Sequence, residues 1–135
     1  MSKKNVEIVE ALIEGWNGGD VDRWLQFAHP DCEWSSGILR QVEGVEAATV
    51  RGHQELRRFW EEWHRLWAVT IEPSEIRDLG ETVLVLARMR ARGNESGIDL
   101  DREIGYVIDF DDGLVRRSTA YLSAEAALAA VGAPE

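Results

Sequence analysis

The chain has 135 residues, 44% hydrophobic and 30% charged, with 25 acidic against 15 basic residues and a formal charge of −10. That length and balance suit one globular domain, residues 1–135, with a single core, and a field of that sign repels phosphate backbones and anionic lipid. Nucleic acid and membrane are therefore excluded as expected partners, and the lone Cys32, with no apolar signal-like or bilayer-length run, points to a reducing cytoplasm.

The first half reads as helical. Val6, Val9, Leu12, Ile13 and Trp16 recur at helical spacing. "NGGD" (17–20) then stops one helix and starts the next, with Gly18 or Gly19 in the left-handed conformation and Asp20 as N-cap. "VDRWLQFA" continues as a second helix until His29-Pro30, because the residue before a proline is biased away from helix. "DCEW" reads as a short strand, followed by an irregular stretch to about residue 51. "GHQELRRFWEEWHRLW" is a third helix, and at ~100° per residue Trp60, Trp63 and Trp67 fall within a strip about 60° wide.

From about residue 68 the pattern changes to strands. "AVTIEPSEIRDL", "ETVLVLARMRARG", "IDLDREIGYVIDF" and "LVRRSTAYL" are separated by the turn signals "GE", "RGNESG" and "DDG". "SAEAALAAV" closes the chain as a helix capped by Ser123. The expected class is α+β, with the helices packed on one face of an antiparallel sheet.

Taken together, "WNGGD", "HPDCEW", "RGHQELRRF", "DFDDGLVRR" and "YLSAEAAL" resemble the SnoaL-like branch, related to a polyketide cyclase, of the nuclear-transport-factor-2-like superfamily. The resemblance spans nearly the whole chain. It implies a cone-shaped curved antiparallel sheet wrapped by three N-terminal helices, with a short C-terminal helix and an interior cavity. It also implies a homodimer through the outer sheet face. The fold carries many chemistries, so each is compared with the residues present. The ketosteroid isomerase base position falls on Ser35 and its first-helix oxyanion tyrosine on Leu12, while the second oxyanion donor falls on Tyr106. Arg88 or Arg90 with Asp99 or Asp101 imitates only part of the epoxide hydrolase constellation. The last strand, "RRSTAYLS", lacks the acid of the polyketide cyclases.

Strand period places Tyr106 on one face with Ile104, Ile108 and Phe110, an apolar wall carrying one phenol. Tyr106 is the candidate hydrogen-bond donor, and Glu33 or His64 the candidate proton acceptor. Trp16, Trp34, Trp60, Trp63, Ile104 and Ile108 are the candidate ligand-binding surface, with Arg88 available to orient an acidic group. No His/Cys/Asp/Glu spacing suggests a metal, and no cofactor is expected. The expected ligand is a small apolar or aromatic molecule, either transformed by cofactor-independent acid–base chemistry or simply bound. A non-catalytic ligand-binding or protein-interaction module is the alternative.

Overall fold

The computed structural model describes residues 2–36, 49–121 and 123–132. Helix α1 (Ser2–Gly18) ends where Gly19 takes a φ of 71°, and α2 (Val21–Leu25) starts from Asp20, whose side chain accepts from the Arg23 N–H. The expected N-cap and left-handed glycine are thus in place. A Cβ on Gly15 would lie 3.0 Å from the Trp24 backbone nitrogen, so this glycine lets α1 and α2 touch.

Helix α2 is shorter than its sequence pattern suggests. The chain has already become extended at Ala28, and β1 (Ala28–Ser36) runs straight through His29-Pro30 and the "DCEW" segment. Pro30 suits an extended backbone as well as it ends a helix. Residues 37–48 of the expected irregular stretch lie outside the described residues, while 49–51 form a short strand, β2 (Thr49–Arg51). Helix α3 (Gly52–Leu66) follows, and Trp67 already belongs to β3 (Trp67–Asp78). Strands β4 (Thr82–Gly93), β5 (Asp99–Asp111) and β6 (Leu114–Tyr121) complete the sheet. The "DDG" turn between β5 and β6 holds Asp112 and Gly113 at φ values of 54° and 78°, the paired left-handed conformation of a tight hairpin.

The six strands lie in the order β2-β1-β6-β5-β4-β3, curved and not closed into a barrel. All neighbours are antiparallel except β1 and β6, which run parallel. The two distant segments meet because the Val115 N–H bonds the Phe27 carbonyl just before β1 begins. Alternation then sorts the side chains. Val83, Val85, Ala87, Met89 and Ala91 of β4 face α1, α2 and α3 and are buried, as are Ile104, Ile108 and Phe110 of β5.

The C-terminal helix α4 (Ala124–Ala130) packs on the opposite face, not on the side shared by the other helices. Its Ala127 and Leu128 cover Leu84, Leu86, Val107 and Tyr121, the outward-pointing apolar residues of β4, β5 and β6. Gly105 makes this approach possible, since a Cβ there would sit 2.3 Å from the Cβ of Ala127. Ser123 caps the helix by accepting from the Ala126 N–H, as its position predicts.

Among the described residues no helix is long and apolar enough to cross a membrane.

Candidate functional site

The helices and the inner sheet face do not fill the space between them. They leave a cavity of about 60 Å³. Each helix contributes to its wall in the way its apolar spacing dictates. Val9, Leu12, Ile13 and Trp16 come from one stripe of α1, Trp24 from α2, and Phe59 and Trp63 from α3. On β1, Trp34 has the parity opposite to Glu33 and turns inward. Val69, Ile71, Val85, Met89, Ile108 and Ala120 form the sheet side.

One wall is a continuous run of rings. Tyr106 to Trp34 is 6.4 Å between centroids, Trp34 to Trp24 5.0 Å, and Trp24 to Trp16 5.6 Å. The run continues from Trp16 to Phe59 at 6.3 Å and from Phe59 to Trp63 at 6.4 Å. These are tilted and edge contacts of the kind aromatic quadrupoles favour. A two-point clamp fixes the α1 end of the wall. The Asn17 side-chain amide donates to the Ile71 carbonyl and its oxygen accepts the Ile71 N–H, both at 2.8 Å. Asn17 therefore occupies the free edge of β3 much as another strand would.

The cavity's polar content is small. The Tyr106 hydroxyl has no hydrogen bond to another described residue, and burial pushes its pKa above the ordinary phenol value, so it remains a neutral donor. The indole N–H groups of Trp16, Trp60 and Trp63 and the Ser118 hydroxyl are buried with no hydrogen-bond partner among the described residues.

Of the residues selected from sequence, Tyr106, Trp16, Trp34, Trp63 and Ile108 meet at this cavity. Trp60 and Ile104 do not line it; they are buried behind it, at 7% and 0% exposure. His64 also lies behind the wall. Its Nδ1 and Nε2 are each 2.9 Å from a carbonyl oxygen, of Trp60 and Trp16 respectively, and its ring stacks on Trp60 at 3.7 Å. A neutral imidazole donates through one nitrogen only, so one of these contacts is a hydrogen bond and the other nitrogen is simply turned against a backbone oxygen; the ring links α3 to the end of α1 and faces the backbone, not the cavity.

Glu33 points to the outer face. It sits directly between Arg51 and Arg117 across β2, β1 and β6, at 2.9 and 3.4 Å, with Arg116 at 3.9 Å. The Arg51 hydrogen bond, with Arg117 adding to it, holds its carboxyl below the usual carboxylate range. Such an acid is a poor proton acceptor. Arg88 is on the outer face too, bonded to Asp101 at 2.6 Å, where it and Arg90 form a ladder with Glu72 and Asp101. Cys32 is buried, and burial pushes its thiol up to about 12, which leaves it inert. No group of His, Cys, Asp and Glu among the described residues could hold a metal ion.

Helical spacing puts Leu12 on an apolar face without assigning it to the site, and Trp24, Phe59 and Met89 line the cavity without having been selected from sequence. The available signal was the apolar stripe itself. In a cone of this kind the inward stripe of each helix is both core and cavity wall.

A curved sheet closed over by three helices around an aromatic-lined cavity defines an α+β cone with an interior cavity. The chain belongs to the SnoaL-like domain family, which it matches over residues 9–118. Its fold is shared with TerC co-crystallized with polyporic acid, at 21% identity over 91% of this chain and 94% of that one, with a TM-score of 0.77. It is shared with a SnoaL-like polyketide cyclase, so described on provisional grounds, from Jannaschia sp., at 21% identity over 99% and 95%, TM-score 0.76. A Catenulispora acidiphila protein of ketosteroid isomerase-like fold in complex with trimethylamine is similar at 16% identity over 95% and 94%, TM-score 0.74. No curated protein matches the sequence. At these identities the structural likeness establishes the fold and leaves activity to the residues of this chain.

Proposed function

We propose that this protein binds a small, largely apolar or aromatic molecule in the cavity between its helices and its sheet, with Tyr106 donating a hydrogen bond to it. The observation that carries this is the wall: among the described residues, six aromatic side chains and a set of aliphatic ones surround the space, and none of them carries a charge. Apolar lining with few polar groups is the usual make-up of a small-molecule site. Structures of this fold hold small molecules, polyporic acid in one case and trimethylamine in another.

Binding without turnover is favoured over isomerase, cyclase, dehydratase or hydrolase chemistry. Acid–base catalysis needs a proton acceptor near the bound molecule, and among the described lining residues none is a carboxylate or imidazole. Glu33 and His64, the two candidate acceptors, are committed elsewhere. The assembly in this reading is a homodimer through the outer sheet face. The exposed part of that face carries the Arg88, Arg90, Glu72 and Asp101 ladder, so pairing there weakens as salt is raised. A cytoplasmic setting fits the single buried thiol.

The test is a titration with small aromatic compounds read by intrinsic tryptophan emission, since Trp16, Trp24, Trp34 and Trp63 all line the cavity. A saturable change is expected for the wild type and a weaker one for Tyr106→Phe. A folded protein whose emission no such compound alters would overturn the reading. Turnover of a bound compound that survives Tyr106→Phe unchanged would remove the phenol from any mechanism.

A further inference from the structure

Among the described residues, the sheet's arginines have acid partners with one exception. Arg51, Arg77, Arg88, Arg90, Arg92, Arg116 and Arg117 each lie within 4.0 Å of a carboxylate. Arg102 has neither an ion pair nor a hydrogen bond to any described residue. In a chain with 25 acids and 15 bases, an arginine without an acid runs against composition. Its place in the sheet is also different. It shares the parity of Ile104, Tyr106 and Ile108, which puts its Cβ on the inner face, whereas Arg88 and Arg90 bond acids on the outer one.

On that face Arg102 stands directly opposite Met89, which in turn stands opposite Ile71. Met89 and Ile71 both line the cavity. Residues paired across antiparallel strands hold their Cβ atoms about 5 Å apart, well inside the reach of an arginine side chain. Arg102 is exposed and is not itself a lining residue, so its guanidinium is in water, while the register with Met89 sets its Cβ next to the cavity wall.

We infer that Arg102 is the anchor for an anionic group on the cavity's ligand, which makes the ligand class a single-ring aromatic acid. This rests on the cavity being a ligand site. Size sets the single ring: at about 10–15 Å³ per water-sized position, a cavity of about 60 Å³ takes roughly four to six waters, and at about 30 Å³ of liquid each that is the volume of about one benzene ring. Charge sets the geometry. No described lining residue could neutralise a buried carboxylate, so the ring enters and the carboxylate stays at the rim. There a planar guanidinium can bond both of its oxygens. The net charge of −10 opposes an anion only at long range, which a Debye length of about 8 Å at physiological salt removes.

The experiment compares three probes of similar shape, phenylacetate, phenethyl alcohol and phenethylamine, by tryptophan emission at physiological ionic strength. Wild type is expected to bind phenylacetate about tenfold more tightly than the alcohol, the scale of one charge-assisted hydrogen bond, and the amine most weakly. Arg102→Gln should bring phenylacetate to the level of the alcohol and leave the alcohol unchanged, while Arg102→Lys keeps part of the preference. Arg92→Gln, on the outer face, should change neither. Phenylacetate binding no more tightly than the alcohol, or Arg102→Gln weakening both equally, would overturn the assignment while leaving the cavity a ligand site. Silence of all three probes on the folded protein would remove the cavity reading itself.

Discussion

Replacing Asn17 with alanine tests how the cavity wall is held. Asn17 is the residue after Trp16, and its amide makes two bonds of 2.8 Å with the carbonyl and N–H of Ile71 on edge strand β3. Trp16 and Ile71 lie on opposite sides of the cavity, so this clamp sets its width. Each part-buried bond is worth about 1 kcal/mol net, and leaving both backbone groups of Ile71 without a partner raises the total to roughly 2–3 kcal/mol. For a domain of this size that loss lowers Tm by about 6–12 °C. Urea unfolding followed by tryptophan emission gives the free energy directly. Asn17→Asp sharpens the test, because it keeps an acceptor for the Ile71 N–H but sets a carboxylate against the carbonyl. It should be at least as destabilising at neutral pH and recover in part on acidification. An alanine variant within about 0.5 kcal/mol of wild type would refute the clamp, since that is the range of an ordinary surface substitution.

Gly105→Ala should destabilise by about 1–3 kcal/mol through collision with Ala127, and adding Ala127→Gly should restore most of the loss; unfolding curves of the single and double variants decide it. Glu33 has a lowered folded pKa, so its contribution is complete above the unfolded value of about 4.3 and disappears as pH falls through the folded one. The stability gap between wild type and Glu33→Gln should therefore close on acidification, with ligand affinity unaffected at neutral pH; a gap independent of pH contradicts the ion-pair account. Tyr106 has a raised pKa, so the unfolded chain ionises first and stability falls as pH rises beyond about 10. Tyr106→Phe should remove that share of the alkaline loss, measured by denaturation across the alkaline range. Ala120→Leu adds three carbon atoms at the cavity's sheet side and should abolish ligand-induced emission changes while the protein stays folded by circular dichroism.

Most of the fold is legible because each element announces itself locally. The 3.6-residue spacing of Val9, Leu12, Ile13 and Trp16, the Asp20 and Ser123 caps and the "DDG" hairpin all depend on neighbours within a turn or two. What escapes is set by partners far away in sequence. The parallel pairing of β1 with β6 needs Phe27 to meet Val115. The seat of α4 depends on Gly105, whose missing side chain leaves room for Ala127. Alternation in "ETVLVLARMRARG" was visible, but Val83, Leu84, Val85 and Leu86 are apolar on both faces, so nothing local states that a helix covers each side.

The site divides along the same line. Tyr106, Trp34 and Ile108 could be placed on an inward face by period two, and Trp16 and Trp63 by period 3.6. Charged candidates fared differently, because chemical type says nothing about which face a strand presents. Glu33 carries the chemistry of a base but the parity of the solvent side, and three arginines meet it there. His64 lies on the correct helix yet turns both nitrogens against backbone carbonyls. The residue that parity does deliver to the cavity side is Arg102, within a "DRE" run that is charged and exposed throughout. Parity with Ile104 and Tyr106 and the register with Met89 separate it from Asp101 and Glu103 on either side. A charged residue in a half-buried strand is thus informative when its face disagrees with its neighbours', and that disagreement becomes visible once a single inward residue of the strand, here Tyr106, is known.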